Sequence, residues 1–286
     1  MANLKELRSR ITSVSSTMQI TSAMKMVSAA KLSRAQDAIT QMRPYSEKLT
    51  QLLQDLSASL DDDASSKYAE DREVKNVLVV AISSNKGLAG AFNTNIVKGV
   101  RYKAKNDYKS NNLALYTLGK KANDVLKKDH EVYKNNNEIF EDLSFENASE
   151  IAEELMQLFL DEKYDKIVLV YNQFKNAATQ VVQHEQFLPI EQFDTEEEKQ
   201  LDYIFEPSKI EIVKELIPKS LKMQLFKALR DSFASEHGAR MTAMHKATDN
   251  AKELRDDLKL SYNKARQASI TNEILEIVGG AEALNG

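Results

Sequence analysis

The chain has 286 residues, 42% hydrophobic and 29% charged, with a net charge of −4. That balance supplies a core and predicts neither nucleic-acid binding nor insertion of this chain into a membrane. The absence of cysteine excludes disulfides, thiolate metal sites and cysteine nucleophiles, and the scarcity of Gly (8) and Pro (4) argues for much helix.

Residues 1–43 contain no Gly or Pro, and Leu4, Leu7, Ile11, Val14 and Met18 follow the 3/4 spacing of a heptad seam. The seam is then expected to shift and continue through Met24, Val27 and Ala30 or Lys31. Pro44 is expected to kink this helix without ending it, because Leu49, Leu52, Leu53, Leu56 and Leu60 keep the helical period. The acidic and small run 61–66 ends it, giving a helix about 85 Å long. Lys, Arg and Glu within the first ten residues argue against a signal peptide. No apolar run approaches the ~20 residues that span a bilayer.

The middle of the chain reads differently. Buried-strand runs are predicted at 74–83, 113–118, 166–171 and 180–188, with helices at roughly 91–109, 119–128 and 147–162. Strand–helix alternation predicts a Rossmann-like α/β domain with a parallel or mixed sheet. The first strand runs into Ser83-Ser-Asn-Lys-Gly87-Leu-Ala-Gly-Ala-Phe-Asn93. A Gly-rich turn between strand and helix often binds phosphate. This one fits neither phosphate-binding fingerprint, so it reads as a tight turn without a ligand. The four histidines, His130, His184, His237 and His245, have no metal-ligand spacing and read as surface or hydrogen-bonded residues. No nucleophile elbow, paired acids or cofactor motif is present, so no catalytic residue, cofactor or metal is expected.

The last helix is expected to start near Ser208, or at Pro218 at the latest. From Met244 a seam is read through Ala247, Ala251, Leu254, Leu258, Ser261, Ala265, Ala268, Asn272 and Leu275. Its small residues would let two helices approach closely. Such a helix is unstable alone, and the economical partner is the N-terminal helix, antiparallel, with the left-handed twist of a 3.5-residue period. The last ~15 residues overrun the partner, so the apolar Ile274, Leu275, Ile277 and Val278 want another chain. The expected division is 1–60 as the N-terminal coiled-coil helix, 73–206 as the α/β domain and 208–286 as the C-terminal coiled-coil helix. A non-catalytic chain built to contact other proteins is the reading that follows.

The residues also carry a resemblance. The tail presents Ile270, Thr271, Glu273, Glu276, Gly280, Ala281 and Ala283 in the pattern Ile-Thr-x-Glu-x-x-Glu-x-x-x-Gly-Ala-x-small. Arg8-Ser-Arg-Ile11, Gln19-Ile-Thr-Ser-Ala-Met24-Lys-Met26-Val, Arg43-Pro44-Tyr45, Gly87 to Asn93 and Ser235 to Met244 occur in matching order. Along essentially its whole length the chain resembles the gamma-subunit family of F-type ATP synthases, of bacterial type. The resemblance implies a central-stalk rotor. The coiled coil inserts in a hexamer of alpha and beta subunits, and the α/β foot rests on the membrane c-ring beside the epsilon subunit. Ion-driven rotation of the ring then cycles the beta sites in turn through different affinities. By the same resemblance, Met24, Arg240, Gln267, Thr271 and Glu273 contact beta subunits. Ile274, Leu275, Ile277 and Val278 form an apolar bearing, and Tyr203 and Glu206 touch the c-ring. The redox loop of plant plastid members is absent. The implied place is the cytoplasmic face of a bacterial cell membrane, held there peripherally through other subunits.

Two other classes share parts of this pattern. A static coiled-coil scaffold would have the helices without the tail signature. An α/β small-molecule enzyme with helical arms would need a catalytic constellation.

Overall fold

The computed structural model describes residues 4–57, 66–70, 72–190 and 209–285. In chain order the elements are α1 (Leu4–Ser57), α2 (Ser66–Ala69), β1 (Asn76–Ile82), α3 (Phe92–Asn106), β2 (Asn112–Leu118), α4 (Lys120–Leu126) and β3 (Glu131–Asn136). A 3-10 turn (Glu138–Phe140), α5 (Phe145–Leu160), β4 (Lys166–Phe174), β5 (Gln180–Leu188) and α6 (Lys209–Asn285) complete it. The chain forms two compact units, one from residues 1–28 and 241–286, the other from 29–240. Both long helices are therefore shared between units. α1 passes through Pro44, and the 77-residue α6 passes through Pro218. The expected stop at 61–66 lies largely outside the described residues.

Unit 29–240 is built on a five-stranded sheet of order β3-β2-β1-β4-β5. The pairs β1–β2, β1–β4 and β2–β3 are parallel, and β4–β5 is antiparallel. Every residue of β1 from Val77 to Ile82 is fully buried, because helices cover both faces. Val77, Val79 and Ala81 face α3 and α4 through Ile96, Val97, Val100, Ala122 and Leu126. Leu78, Val80 and Ile82 face α5 and the first part of α6, where Ile217, Leu221, Leu225, Ala228 and Leu229 are buried. α5 starts at a Ser144 N-cap, whose hydroxyl accepts from the Asn147 N–H at 3.3 Å.

The sheet has one more strand than predicted. β3 reads Glu-Val-Tyr-Lys-Asn-Asn and lies at an edge, where half its surface stays wet and an apolar run is not required. β5, the antiparallel edge, lies so close to α3 that a Cβ on Gly99 would sit 3.0 Å from Val182 Cγ1 and 3.1 Å from His184 Cε1.

In the other unit the helices run antiparallel. Thr21 Oγ1 and Thr248 Oγ1 share a hydrogen bond of 2.8 Å, and Arg255 Nη1 lies 3.6 Å from Met18 Sδ. As α1 numbers fall, α6 numbers rise, and Leu4 falls opposite the turn around Gln267. Both seam expectations need correction. On α1 the expected shift does not occur: Met24 is half-buried, but Val27, Ala30 and Lys31 are exposed. The seam continues in strict 3/4 spacing through Thr21, Lys25 and Ser28, with Thr21 and Ser28 buried. On α6, Met244, Ala251, Leu258 and Ala265 hold and Ala247 is half-buried, but Leu254, Ser261, Ala268, Asn272 and Leu275 are exposed. The places of Leu254, Ser261 and Ala268 on the covered face are taken by the half-buried Arg255, Tyr262 and Ser269, and Thr248 joins Ala247 there. The reason is chemical. The Thr pair satisfies its hydroxyls inside the seam, and the long Arg255 side chain reaches across it to Met18, covering its own apolar stem. Among the described residues, no helix is long and apolar enough to cross a membrane.

Candidate partner-contact sites

In the coiled-coil unit, α6 outruns α1. Every described residue from Ile270 to Ala281 is exposed. Ile270, Ile274, Leu275, Ile277 and Val278 are 47%, 54%, 63%, 72% and 49% exposed, so this tip is an apolar surface with no cover from its own chain. Gln267, Thr271 and Glu273 share the exposed stretch. The Thr271 hydroxyl bonds back to the Gln267 carbonyl at 2.9 Å, and Glu273 accepts from the Ser269 hydroxyl at 3.5 Å. These side chains retain capacity for directional bonds to another chain. Met24 is half-buried on α1. Beside it Ile20, Met26 and Val27 are largely exposed, as are Leu254 and Leu260 on α6. Sequence reasoning did not single out these five as contacts. The usable signal was that large apolar residues occur off the seam in a helix with a polar solvent face.

In the α/β unit, the carboxyl end of β1 is the point where successive crossovers change direction: β2 and β3 lie on one side of β1, β4 and β5 on the other. Open α/β sheets bind ligands at such a crevice. Here the chain fills it. The loop after β1 is braced internally. The Ser84 N–H donates to Asn93 Oδ1 at 3.0 Å, and the Ser84 hydroxyl donates to the Lys86 carbonyl at 2.6 Å. Leu88 sits at φ 60° and is 64% exposed; Ala89 and Phe92 turn inward against Ala239 of α6. Gly119 closes the neighbouring turn at φ 103°, where a Cβ would meet the Ser83 carbonyl oxygen at 2.3 Å.

Residues 235–240 of α6 complete the plug. The Ser235 hydroxyl donates to the Asn172 carbonyl at 2.9 Å, and the Asn172 amide donates to the Phe92 carbonyl at 3.2 Å. Arg240, only 6% exposed, donates through Nη1 to Glu236 Oε1 at 2.6 Å. It also donates through Nη2 to the Lys86 carbonyl at 3.0 Å and through Nε and Nη2 to the Gly87 carbonyl at 3.3 and 3.2 Å. Burial pushes the Glu236 carboxyl up, and the Arg240 charge opposes that rise. Arg240 is thus placed apart from the exposed residues grouped with it by resemblance, and its guanidinium is committed within its own chain.

The histidines divide. His245 forms a surface pair with Asp249 at 3.3 Å. His237, by contrast, is neither exposed nor hydrogen-bonded: it is buried against the Phe233 ring, and neither nitrogen has a partner. Burial, with the Arg240 and Lys31 charges, pushes it down to about 3 and keeps it neutral. The sequence reading of His237 fails because the ring is buried against Phe233 with no hydrogen bond. His184 is also pushed down by burial, and its Nδ1 lacks a partner.

A cavity of about 510 Å³ lies along β4 and β5, with Glu185, Gln186, Gln224 and Lys227 in its wall. Glu185 is already engaged by the Tyr171 hydroxyl at 2.6 Å and Gln224 Nε2 at 2.8 Å. Among the described residues no cluster of His, Asp or Glu could hold a metal ion. Tyr203 and Glu206 lie outside the described residues.

Comparison with known proteins adds identity to this geometry. Residues 3–284 match the family described as ATP synthase. The ATP synthase gamma chain of Christiangramia forsetii is 89% identical over 286 residues, covering all of both chains. That of Flavobacterium johnsoniae is 66% identical over 287 residues, again covering both in full. Among solved structures, the central stalk and c-ring structure of Tetrahymena thermophila mitochondrial ATP synthase contains a similar chain. Its TM-score is 0.61 at 29% identity, over 80% of this chain and 99% of that one. A chain of the Euglena gracilis mitochondrial ATP synthase shares the fold at a TM-score of 0.71 and 22% identity, over 98% and 94%.

Proposed function

The chain belongs to the family of ATP synthase gamma chains, and from that premise we propose how it works. It is the central-stalk rotor subunit, non-catalytic itself, of a complex that makes or hydrolyses ATP. It couples ion-driven rotation of the c-ring to the cycling of the beta subunits, with the alpha–beta hexamer, the epsilon subunit and the c-ring as partners. Residues 1–60 and 208–286 act as shaft and 73–206 as foot. This is a division by role, since the first part of α6 also helps build the α/β core. The chain works peripherally, on the cytoplasmic face of a bacterial cell membrane.

The observation that carries this reading is the bare end of α6, apolar and exposed beyond the reach of α1. A turning shaft inside a three-fold surround cannot keep the same polar bonds at every angle. Contacts that persist at all angles must be non-directional, as apolar packing is. Ile274, Leu275, Ile277 and Val278 therefore act as the bearing. Gln267, Thr271 and Glu273, with Met24 on α1, contact beta subunits at particular angles, where a charge-assisted bond stabilises one dwell over another. Tyr203 and Glu206 are assigned to the c-ring. Coupling arises because each dwell offers the beta sites different contacts.

The test is made on the purified complex, which should contain one copy of this chain per hexamer. Glu273→Ala should reduce ATP turnover or ATP-driven pumping markedly, and Ile277→Ala or deletion of 280–286 should be mild. A severe Ile277 defect beside a silent Glu273 variant would reverse these roles. A covalent bond from an engineered cysteine at Glu273 to a beta subunit should halt steady hydrolysis unless the helix above it swivels. A bond between α1 and α6 should leave turnover nearly intact.

A further inference from the structure

We propose that Arg240, together with Glu236, is a positioning residue. It is a joint that fixes α6 to the loop after β1 and so carries torque between α6 and the sheet, in place of a contact to a beta subunit. The proposal rests on the rotor reading above.

A rotor must resist twist where its parts meet. Apolar packing such as that of Leu221, Leu225 and Leu229 resists separation but imposes little preference on sliding or rotation, because it is non-directional. Directional bonds supply that preference. Arg240 is bound on two sides at once, to Glu236 on its own helix and to the carbonyls of Lys86 and Gly87 on the loop. The planar guanidinium holds these groups in one fixed fork, which a lysine cannot reproduce.

The loop is stiff enough to pass force on. Ser84 is tied to Asn93, in the first turn of α3, and to the Lys86 carbonyl. A pull on Gly87 is therefore shared between the end of β1 and the start of α3. Ser235 and Gly238 brace the same stretch: the Ser235 hydroxyl bonds to β4, and a Cβ on Gly238 would lie 3.2 Å from Ala177 Cα in the β4–β5 turn. Position matters as well. Arg240 is the last residue of the compact unit 29–240, so the joint stands where α6 leaves it. Direct service to a beta subunit fits poorly with a buried guanidinium that already donates four bonds.

The chain has no cysteine, so thiols introduced by Lys86→Cys and Arg240→Cys are unique within it. The doubly substituted chain is assembled into the full complex, with accessible cysteines of other subunits replaced. ATP hydrolysis and ATP-driven ion pumping are measured before and after joining the two thiols with a short bis-methanethiosulfonate linker. The expected result is hydrolysis with loss of pumping before linking, recovery of pumping on linking, and renewed loss when a reductant cuts the linker. Normal pumping before linking, or no recovery after it, would overturn the joint, because a missing contact to another subunit is not restored by a bond inside this chain. If Arg240→Cys blocks assembly, Arg240→Lys replaces it. Pumping should then fall while hydrolysis persists, and unchanged pumping would overturn the proposal. A parental complex that contains this chain but neither hydrolyses ATP nor pumps would instead remove the rotor reading.

Discussion

The two compact units hold together by different means. In the α/β unit, Val77 to Ile82 and Tyr116, Tyr171, Phe159 and Leu225 are sealed from solvent, and both sheet faces are covered by helices. In the coiled-coil unit, the buried residues among those described are Leu7, Thr21, Ser28, Met244 and Ala251, a set in which small and polar side chains predominate. Its α6 then continues bare for another three turns. The first unit contains its own reason to fold. The second buries few side chains, so less of its stability comes from a core of its own. A shaft that must slip past its neighbours cannot also be tightly cored, and the contrast in burial records that division of labour.

The comparison can be broken most forcefully in the α/β core. Leu225→Ala removes a fully buried side chain from α6, and such truncations cost about 2–5 kcal/mol. Urea unfolding of the isolated chain, followed by far-ultraviolet circular dichroism, should show a loss of that size. A loss comparable to a surface change would mean that the unit is not self-sufficient.

Acid should come next. His237 ordinarily titrates near 6.5 but is held down to about 3 in the folded chain, so the unfolded chain binds a proton that the folded one refuses. The stability arising from the neutral ring is complete above pH 6.5 and is lost as pH falls from 6.5 toward 3. Relative to the parent, a His237→Leu chain should gain stability steadily through that window. A gap between the two that stays constant with pH would show that the ring is not buried neutral.

Smaller effects sharpen the other side. Ala251 is 8% exposed in the seam, and Ala251→Leu should overpack it by about 1–3 kcal/mol. An unchanged melting temperature of the assembled complex would mean that the close approach is not needed. Least of all, Ile277→Ala should alter the stability of the isolated chain by no more than about 0.5 kcal/mol, because the side chain stays mostly in water. A larger change would show that the tip is covered by its own chain.

What could be read beforehand follows the same physics. β1 was legible because a strand buried on both faces must be apolar throughout. β3 was not, since an edge strand of Glu, Lys and Asn carries no such demand. The antiparallel partnership was legible from two long periodic helices, but the phase on α6 was half wrong. Leu254 looked like a seam residue, and Arg255 and Tyr262 did not, because composition alone hides a polar side chain half-buried at a seam. The exposed tip was legible from its apolar residues beyond any partner. Arg240 was grouped by resemblance with the contacts to beta subunits, and its burial was illegible. A Glu and an Arg four apart normally signify a surface pair, and only the Ser235, Gly238 and Ala239 around them hinted at a close approach.

The shared hydrogen bond between Thr21 and Thr248 has a consequence for length. A seam of alanines is smooth and would tolerate a slide by one repeat, whereas a single hydroxyl pair has a matching partner at one setting only. It works as an indexing pin. A slip of seven residues would move the free end of α6 by about 10 Å and carry every residue after Ser269 to a new height. Additions or deletions in either helix should therefore survive only as matched heptads, one on each side of the pin, with the overhang kept constant.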